Sequence, residues 1–267
     1  MKRNILKISI SIIVFTCCCN LTTAQDFELG KYRLIYKFSV VKQADDSRLL
    51  NVSFIARHKK NRKDRIPIYN TEIQFINPGI DNELVLGKAI TDKYGNAQLI
   101  IPENHQYLTD NEGYINFEGR HNKTSFLPRK SAKLRLKDLD FSMELVERDS
   151  VRTVLVNAFE KDSIGNEIPV DDLDIKIAVG SMFAKMTIEE ATLQNGKYRY
   201  KFPEDLKGES DGNIVVYSII EDHSDYGDLV QEEQAGWGVA RPFELEKNNM
   251  LWTSAAPYWM YIVLTIM

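Results

Sequence analysis

The sequence predicts an all-β protein: two tandem β-sandwich domains followed by a hydrophobic C-terminal segment. Three observations carry that reading. The chain matches itself at a shift of 102 residues, apolar side chains alternate with period two along the matching runs, and turn residues recur between those runs.

In the first copy Val52, Phe54 and Ala56 are followed by Ile66-Pro67-Ile68 and then by Ile73 and Phe75. In the second, Val154, Val156 and Ala158 are followed by Ile168-Pro169-Val170 and then by Ile175 and Ile177. Alternation places these side chains on one face of a strand and Ser53, Asn157, Gln74 and Lys176 on the other, so each run is a half-buried strand. The match resumes with small gaps. Gly95 to Glu103 pairs with Gly196 to Glu204, and Gly113-Tyr114-Ile115 pairs with Gly212-Asn213-Ile214. Glycine supplies the positive φ that tight turns need, and a period-two run such as Tyr198, Tyr200 and Phe202 follows it. No part of the body sustains a 3.6-residue apolar period, apart from a short helical turn expected near Thr187 to Ala191. Two sheets with one apolar face each are buried most simply by packing face to face.

The stretch Thr91-Asp92-Lys93-Tyr94-Gly95-Asn96-Ala97-Gln98-Leu99-Ile100-Ile101-Pro102 resembles the turn-and-strand signature of bacterial immunoglobulin-like repeats, both invasin-type and carboxypeptidase-regulatory-type. Thr192 to Pro203 keeps part of it. The resemblance covers most of residues 28–245 as a fold and implies two immunoglobulin-like domains, 28–137 and 138–245, joined by a linker at 246–250 to the last segment. It carries over no catalytic or binding residue, and the cysteines and core tryptophan of antibody-type domains are missing from it.

The two ends give an address. Lys2 and Arg3, an apolar stretch around Ile8 to Val14 and a small-residue site at Thr22-Thr23-Ala24 predict a secretory signal over residues 1–24. Cleavage there would remove Cys17, Cys18 and Cys19, the only cysteines, and take the formal charge from −4 to −7 with the loss of Lys2, Arg3 and Lys7. A competing reading makes one of these cysteines a lipid-acceptor site, although Val14-Phe15-Thr16-Cys17 fits that pattern poorly. Ending the signal in Ala24-Gln25 before a disulfide-free β body resembles envelope proteins of Bacteroidetes-type bacteria. Residues 251–267 carry no charge, with Trp252, Tyr258, Trp259 and Tyr261 leading and Ile262-Val263-Leu264 behind. That order predicts a transmembrane anchor at the lower limit of length for a span, either cut short at Met267 or dipping only into the interface, with a strand or short helix packed on the second domain as the alternative.

Arg57, Lys59, Lys60, Arg62, Lys63 and Arg65 crowd a predicted hairpin loop, residues 57–65, on an otherwise acidic chain. Such a loop can present several cations to phosphate, sulfate or an acidic polysaccharide. The matching loop, Phe159 to Glu167, has lost the basic run, so the fold does not require it. Glu221 to Asp228, around Gly227, and Asp171, Asp172 and Asp174 are candidate calcium ligands, with a solvated acidic turn as the competing reading for both. His58, His105, His121 and His223 sit in polar, loop-like contexts at irregular spacing, and no catalytic, cofactor or metal motif is found.

The expectation is therefore a non-catalytic exported module, periplasmic or at the outer surface. It is tethered to a membrane through Leu251 to Met267 and contacts a protein partner or membrane complex of the cell envelope. Polyanion or envelope-glycan binding through residues 57–65 is the alternative. The acidic balance argues against nucleic acid, and no small-molecule substrate is evident.

Overall fold

The structure, a computed structural model, describes residues 29–162, 165–181, 184–240, 263, 265 and 266. The expected signal segment and nearly all of the expected anchor lie outside these. Among the described residues no helix is long and apolar enough to cross a membrane.

The body is all β. After a short 3-10 turn come β1 (Tyr32–Lys42), β2 (Arg48–His58), β3 (Arg65–Pro67), β4 (Glu72–Pro78), β5 (Glu83–Ile90), β6 (Asn96–Ile101), β7 (Ile115–His121) and β8 (Lys130–Leu136). The same order returns as β9 (Asp140–Arg148), β10 (Val151–Lys161), β11 (Glu167–Pro169), β12 (Asp174–Gly180), β13 (Lys185–Thr192), β14 (Lys197–Lys201), β15 (Ile214–His223) and β16 (Gly227–Ala235). In the first half β2 pairs with β1 on one side and with β3 and β6 on the other, opposite a sheet in the order β5-β4-β7-β8. In the second half β10 takes the place of β2 and β13-β12-β15-β16 the place of the facing sheet. Each half is thus an immunoglobulin-like sandwich.

The repeat extends to irregularities. The β4–β5 ladder slips between Phe75 and Ile76, and the β12–β13 ladder slips between Ile177 and Ala178, at the same place in the second copy. These bulges break the alternation the sequence suggested, and both Phe75 and Ile76 become buried. The expected helical turn at Thr187 to Ala191 is corrected: those residues lie inside β13, where pairing with β12 supplies the hydrogen bonds a helix would have made locally.

Two apolar cores form between the paired sheets. One draws on Val40 to Leu136, with Phe54, Phe75 and Phe117 fully buried; the other draws on Leu139 to Trp237. Trp237 follows β16, packs 5.2 Å from the Phe202 ring and donates from Nε1 to Glu147 at 2.9 Å. This core tryptophan does not sit on the strand that carries it in antibody domains.

The halves meet through backbone and charge. β1 pairs in parallel with β16 at Val41↔Asp228 and Lys42↔Leu229, making one sheet continuous across the junction. The Lys42 Nζ donates to Leu139 O at 2.8 Å and reaches Asp138 at 3.1 Å. Arg48, 5% exposed, pairs with the same carboxylate and lies over the Tyr107 ring at 5.2 Å. Tyr114 donates to Asp225 at 3.1 Å, and Tyr226 to Glu160 at 2.5 Å.

Candidate functional site

The register fixes where each loop of the first sandwich emerges. Lys42 and Arg48 are opposite each other at the junction end of β1 and β2, whereas Tyr32 and His58 are opposite each other at the far end. At about 3.3 Å per residue the two ends are roughly 33 Å apart. The far pole gathers the β2–β3 hairpin, the corner from β3 to β4, the β5–β6 turn and the β7–β8 loop, because β4 starts beside the end of β7 and beside the end of β5.

Each loop is held by its own backbone. In the hairpin, His58 N donates to Asp64 O at 3.0 Å and Asp64 N to Asn61 O at 3.1 Å. The His58 Nδ1 accepts from the amides of Lys60 and Asn61 at 3.2 and 3.0 Å, and the Asn61 side chain accepts from Lys63 N. Tyr32 donates to Asp64 at 3.1 Å and meets the His58 ring edge-on at 5.1 Å. The histidine and the acid that interrupt the basic run therefore shape the turn. In the β5–β6 turn, Asp92 accepts from the amides of Tyr94 and Asn96 at 2.8 and 2.9 Å, and the Thr91 hydroxyl accepts from Thr71 N at 2.9 Å. These contacts explain the Thr-Asp-x-x-Gly signature as turn chemistry. In the β7–β8 loop, Thr124 N donates to Leu127 O and Leu127 N to the Thr124 hydroxyl, leaving Phe126 at the tip, 80% exposed.

The six expected anion-binding residues divide by position. Arg57 and Arg65 are opposite each other on paired strands, and Lys59, Lys60, Arg62 and Lys63 form the projecting turn. The Lys59 Nζ donates to Gly30 O at 2.7 Å, and Arg65 Nε reaches Arg62 O at 3.4 Å. Among the described residues none of the six forms an ion pair. Elsewhere Lys42, Arg48, Arg120, Arg135, Lys137 and Lys161 are all paired with carboxylates. The hairpin thus keeps its charge available.

Beside it runs a groove of about 580 Å³ between the β3–β4 corner, Ile66 to Glu72, and the end of β7 with its loop, Arg120 to Leu127. Tyr69, 66% exposed, lines it from the first segment, and Lys123 and Phe126 line it from the second. His121 lies beneath, 2% exposed, with Nδ1 3.2 Å from Glu72 O and a ring 5.6 Å from Phe54. This corrects the sequence reading of His121 as a loop residue: it ends β7 on the inward face. The groove itself left no signal in the sequence, because its walls come from segments some fifty residues apart.

The acidic stretches serve the fold. Asp225 accepts from Tyr114, Asp228 accepts from Asp222 N at 2.7 Å, and the His223 Nδ1 accepts from the Asp225 and Tyr226 amides. Asp171 accepts from Asn195 N, and Asp174 accepts from the Thr192 hydroxyl at 2.7 Å. Among the described residues no three His, Cys, Asp or Glu side chains are grouped as metal ligands would be.

Fold and site together define a tandem immunoglobulin-like protein with a cationic, aromatic pole. No family model matches the chain, and no curated protein matches it. Among solved structures it is similar to a tetra-tandem repeat in the extending region of a large adhesion protein, at 11% identity and a TM-score of 0.27, over 75% of this chain and 49% of that one. It is also similar to a Salmonella alpha-2-macroglobulin mutant, at 9% identity and 0.25, over 79% and 15%. A Parabacteroides merdae beta-glucuronidase matches at 12% identity and 0.23, over 75% and 25%. The chain spans less than half the length of each of these proteins.

Proposed function

We propose that this chain is a non-catalytic, exported binding module of the cell envelope whose contact surface is the far pole of its first domain. The domains are residues 28–137 and 138–245, a division supported by the two separate cores. The continuous sheet and the Lys42–Asp138–Arg48 cluster make the second domain a firm base for the first. A C-terminal tether through residues 251–267 would leave that pole directed away from the membrane.

Of the two partner classes the sequence suggested, the polyanion is the better supported. The observation that carries this is a hairpin whose cations are in no ion pair among the described residues: Lys60, Arg62 and Lys63 project on a turn closed by His58, Asn61 and Asp64, and the Lys59 Nζ donates to Gly30 O. A surface protein contact through the sheet edges remains the second reading, favoured by the exposed Val85 and Ile90 on the edge strand β5.

The test is retention of the full chain on immobilised dextran sulfate. Binding in dilute buffer should fade toward 1 M salt, where the screening length falls to about 3 Å. Replacing Lys59, Lys60, Arg62 and Lys63 with Ser should remove the salt-sensitive retention. Equal retention of that variant, or none by the parent chain, refutes the polyanion reading.

A further inference from the structure

We infer that the groove beside the hairpin is a binding site for an acidic polysaccharide, a chain of sugar rings bearing carboxylate or sulfate groups. The inference rests on the reading of this pole as the binding end and adds the chemistry of the ligand. Cations alone accept any polyanion, from a nucleic acid to a phosphate polymer. The groove adds two features that such polymers do not all satisfy.

The first is a pair of open aromatic rings. Tyr69 and Phe126 are 66% and 80% exposed, and they line one concave surface from two different segments. Large exposed rings on turns fixed by hydrogen bonds cost apolar surface in water without adding to the core. The negative face of an aromatic ring attracts C–H bonds, and a pyranose presents several on one face. Leu127, next to Phe126, packs against the core, and the Thr124–Leu127 hydrogen bonds close the turn, so Phe126 is held outward. Asn70, next to Tyr69, takes φ of 55° and donates to Thr91 O at 3.0 Å, which fixes the corner from which Tyr69 projects.

The second feature is shape joined to charge. At about 580 Å³ the groove has the size of a ligand pocket, and Lys123 lies within it. Arg65, at the base of the hairpin, is joined directly to the groove-lining Ile66, so the basic turn adjoins one end of the groove. A chain ligand could lay ring faces on Tyr69 and Phe126 and carry its anionic groups toward Lys123, Lys60, Arg62 and Lys63. A flat bilayer would meet the loop tips but could not enter the concave surface between them.

The experiment measures affinity of the full chain for polygalacturonate, dextran sulfate, polyphosphate, neutral dextran and phosphatidylglycerol vesicles, using the parent chain, Tyr69→Ala with Phe126→Ala, and the Ser-substituted hairpin. Both aromatic residues are exposed, and a thermal melt verifies that the variants fold. The expected result is that the aromatic double variant binds the acidic polysaccharides about tenfold or more weakly, at roughly threefold to tenfold per ring. It should keep its affinity for polyphosphate, which offers no ring faces. The hairpin variant should lose all three polymers. Unchanged polysaccharide affinity in the aromatic variant, or an equal loss for polyphosphate, overturns the groove assignment and leaves the cationic hairpin standing. Binding to vesicles in preference to polysaccharides overturns it in favour of a lipid surface. Absence of binding to every polyanion removes both the groove and the polyanion reading beneath it.

Discussion

Asn77 and Val179 hold the same place in the two repeats, just beyond the bulge, yet their surroundings differ completely. Val179 joins an apolar core, whereas Asn77, with no exposed surface, donates to Leu108 O and Asn116 O at 3.0 and 2.7 Å and accepts from Leu108 N at 2.6 Å. One side chain thereby ties the long β6–β7 connection to the sheet. Replacing Asn77 with Ala should destabilise the protein by about 2–3 kcal/mol in urea denaturation, since buried backbone groups lose their partners. Gly95 and Gly113 make a similar contrast. Both have φ near 80°, but a Cβ on Gly95 would collide with Phe54 O, whereas one on Gly113 would meet open space. Gly113→Ala should cost only the conformational strain, about 1–2 kcal/mol, and Gly95→Ala clearly more. The sequence marked both as turn glycines alike. The difference depends on what approaches the turn from another strand.

At the scale of elements, the strands were legible wherever a single face is buried, because period two is then imposed by the core. The repeat made this firmer: Val52, Phe54 and Ala56 and their partners Val154, Val156 and Ala158 are all fully buried on β2 and β10. Legibility failed at β13, an edge strand whose burial alternates weakly, so that Thr187 to Ala191 read as a helical turn. It failed again at Trp237, which reaches the core from a turn rather than from a strand. The basic hairpin was legible as a charge run, but the groove next to it was not, since Tyr69 and Phe126 are brought together only by the β4–β7 pairing. Because the hairpin's turn is closed by His58, Asn61 and Asp64, changing Lys60, Arg62 and Lys63 to Ser should alter stability by less than about 0.5 kcal/mol, and adding Lys59→Ser, which removes the bond to Gly30 O, by about 1 kcal/mol at most. Thermal or urea unfolding checks this, and a larger loss would mean that the cations hold the turn.

For the whole molecule the carboxylates held low by paired cations set the pH dependence: Glu118 and Glu83 beside Arg120, Asp110 beside Arg135, and Asp138 at the junction. Burial raises the Asp138 carboxyl, but the charges of Arg48 and Lys42 outweigh it and hold the group below its ordinary value. Hydrogen bonding from Arg135 lowers Asp110 to about 2. A carboxylate depressed in the folded chain stabilises it fully above the unfolded value, about 3.9, and that contribution disappears as pH falls through the folded value. The unfolding temperature should therefore hold from neutrality to about pH 5 and drop between about pH 4 and 2. Asp138→Asn should shrink that drop while lowering stability at neutral pH, and an undiminished drop would place the acid sensitivity elsewhere. Arg48→Met keeps much of the volume but loses the ion pair and the contact with Tyr107, and should cost about 1–3 kcal/mol.

Under the proposed function, a two-domain body presents one cationic, aromatic pole to an anionic chain. Hydrogen–deuterium exchange of the full chain, with and without saturating polygalacturonate, tests it most directly because it reports where the ligand sits. Protection is expected in residues 59–71 and 122–129, with the second domain unchanged. Protection confined to the second domain or to the β5 edge, or none at all under saturating conditions, would contradict the account.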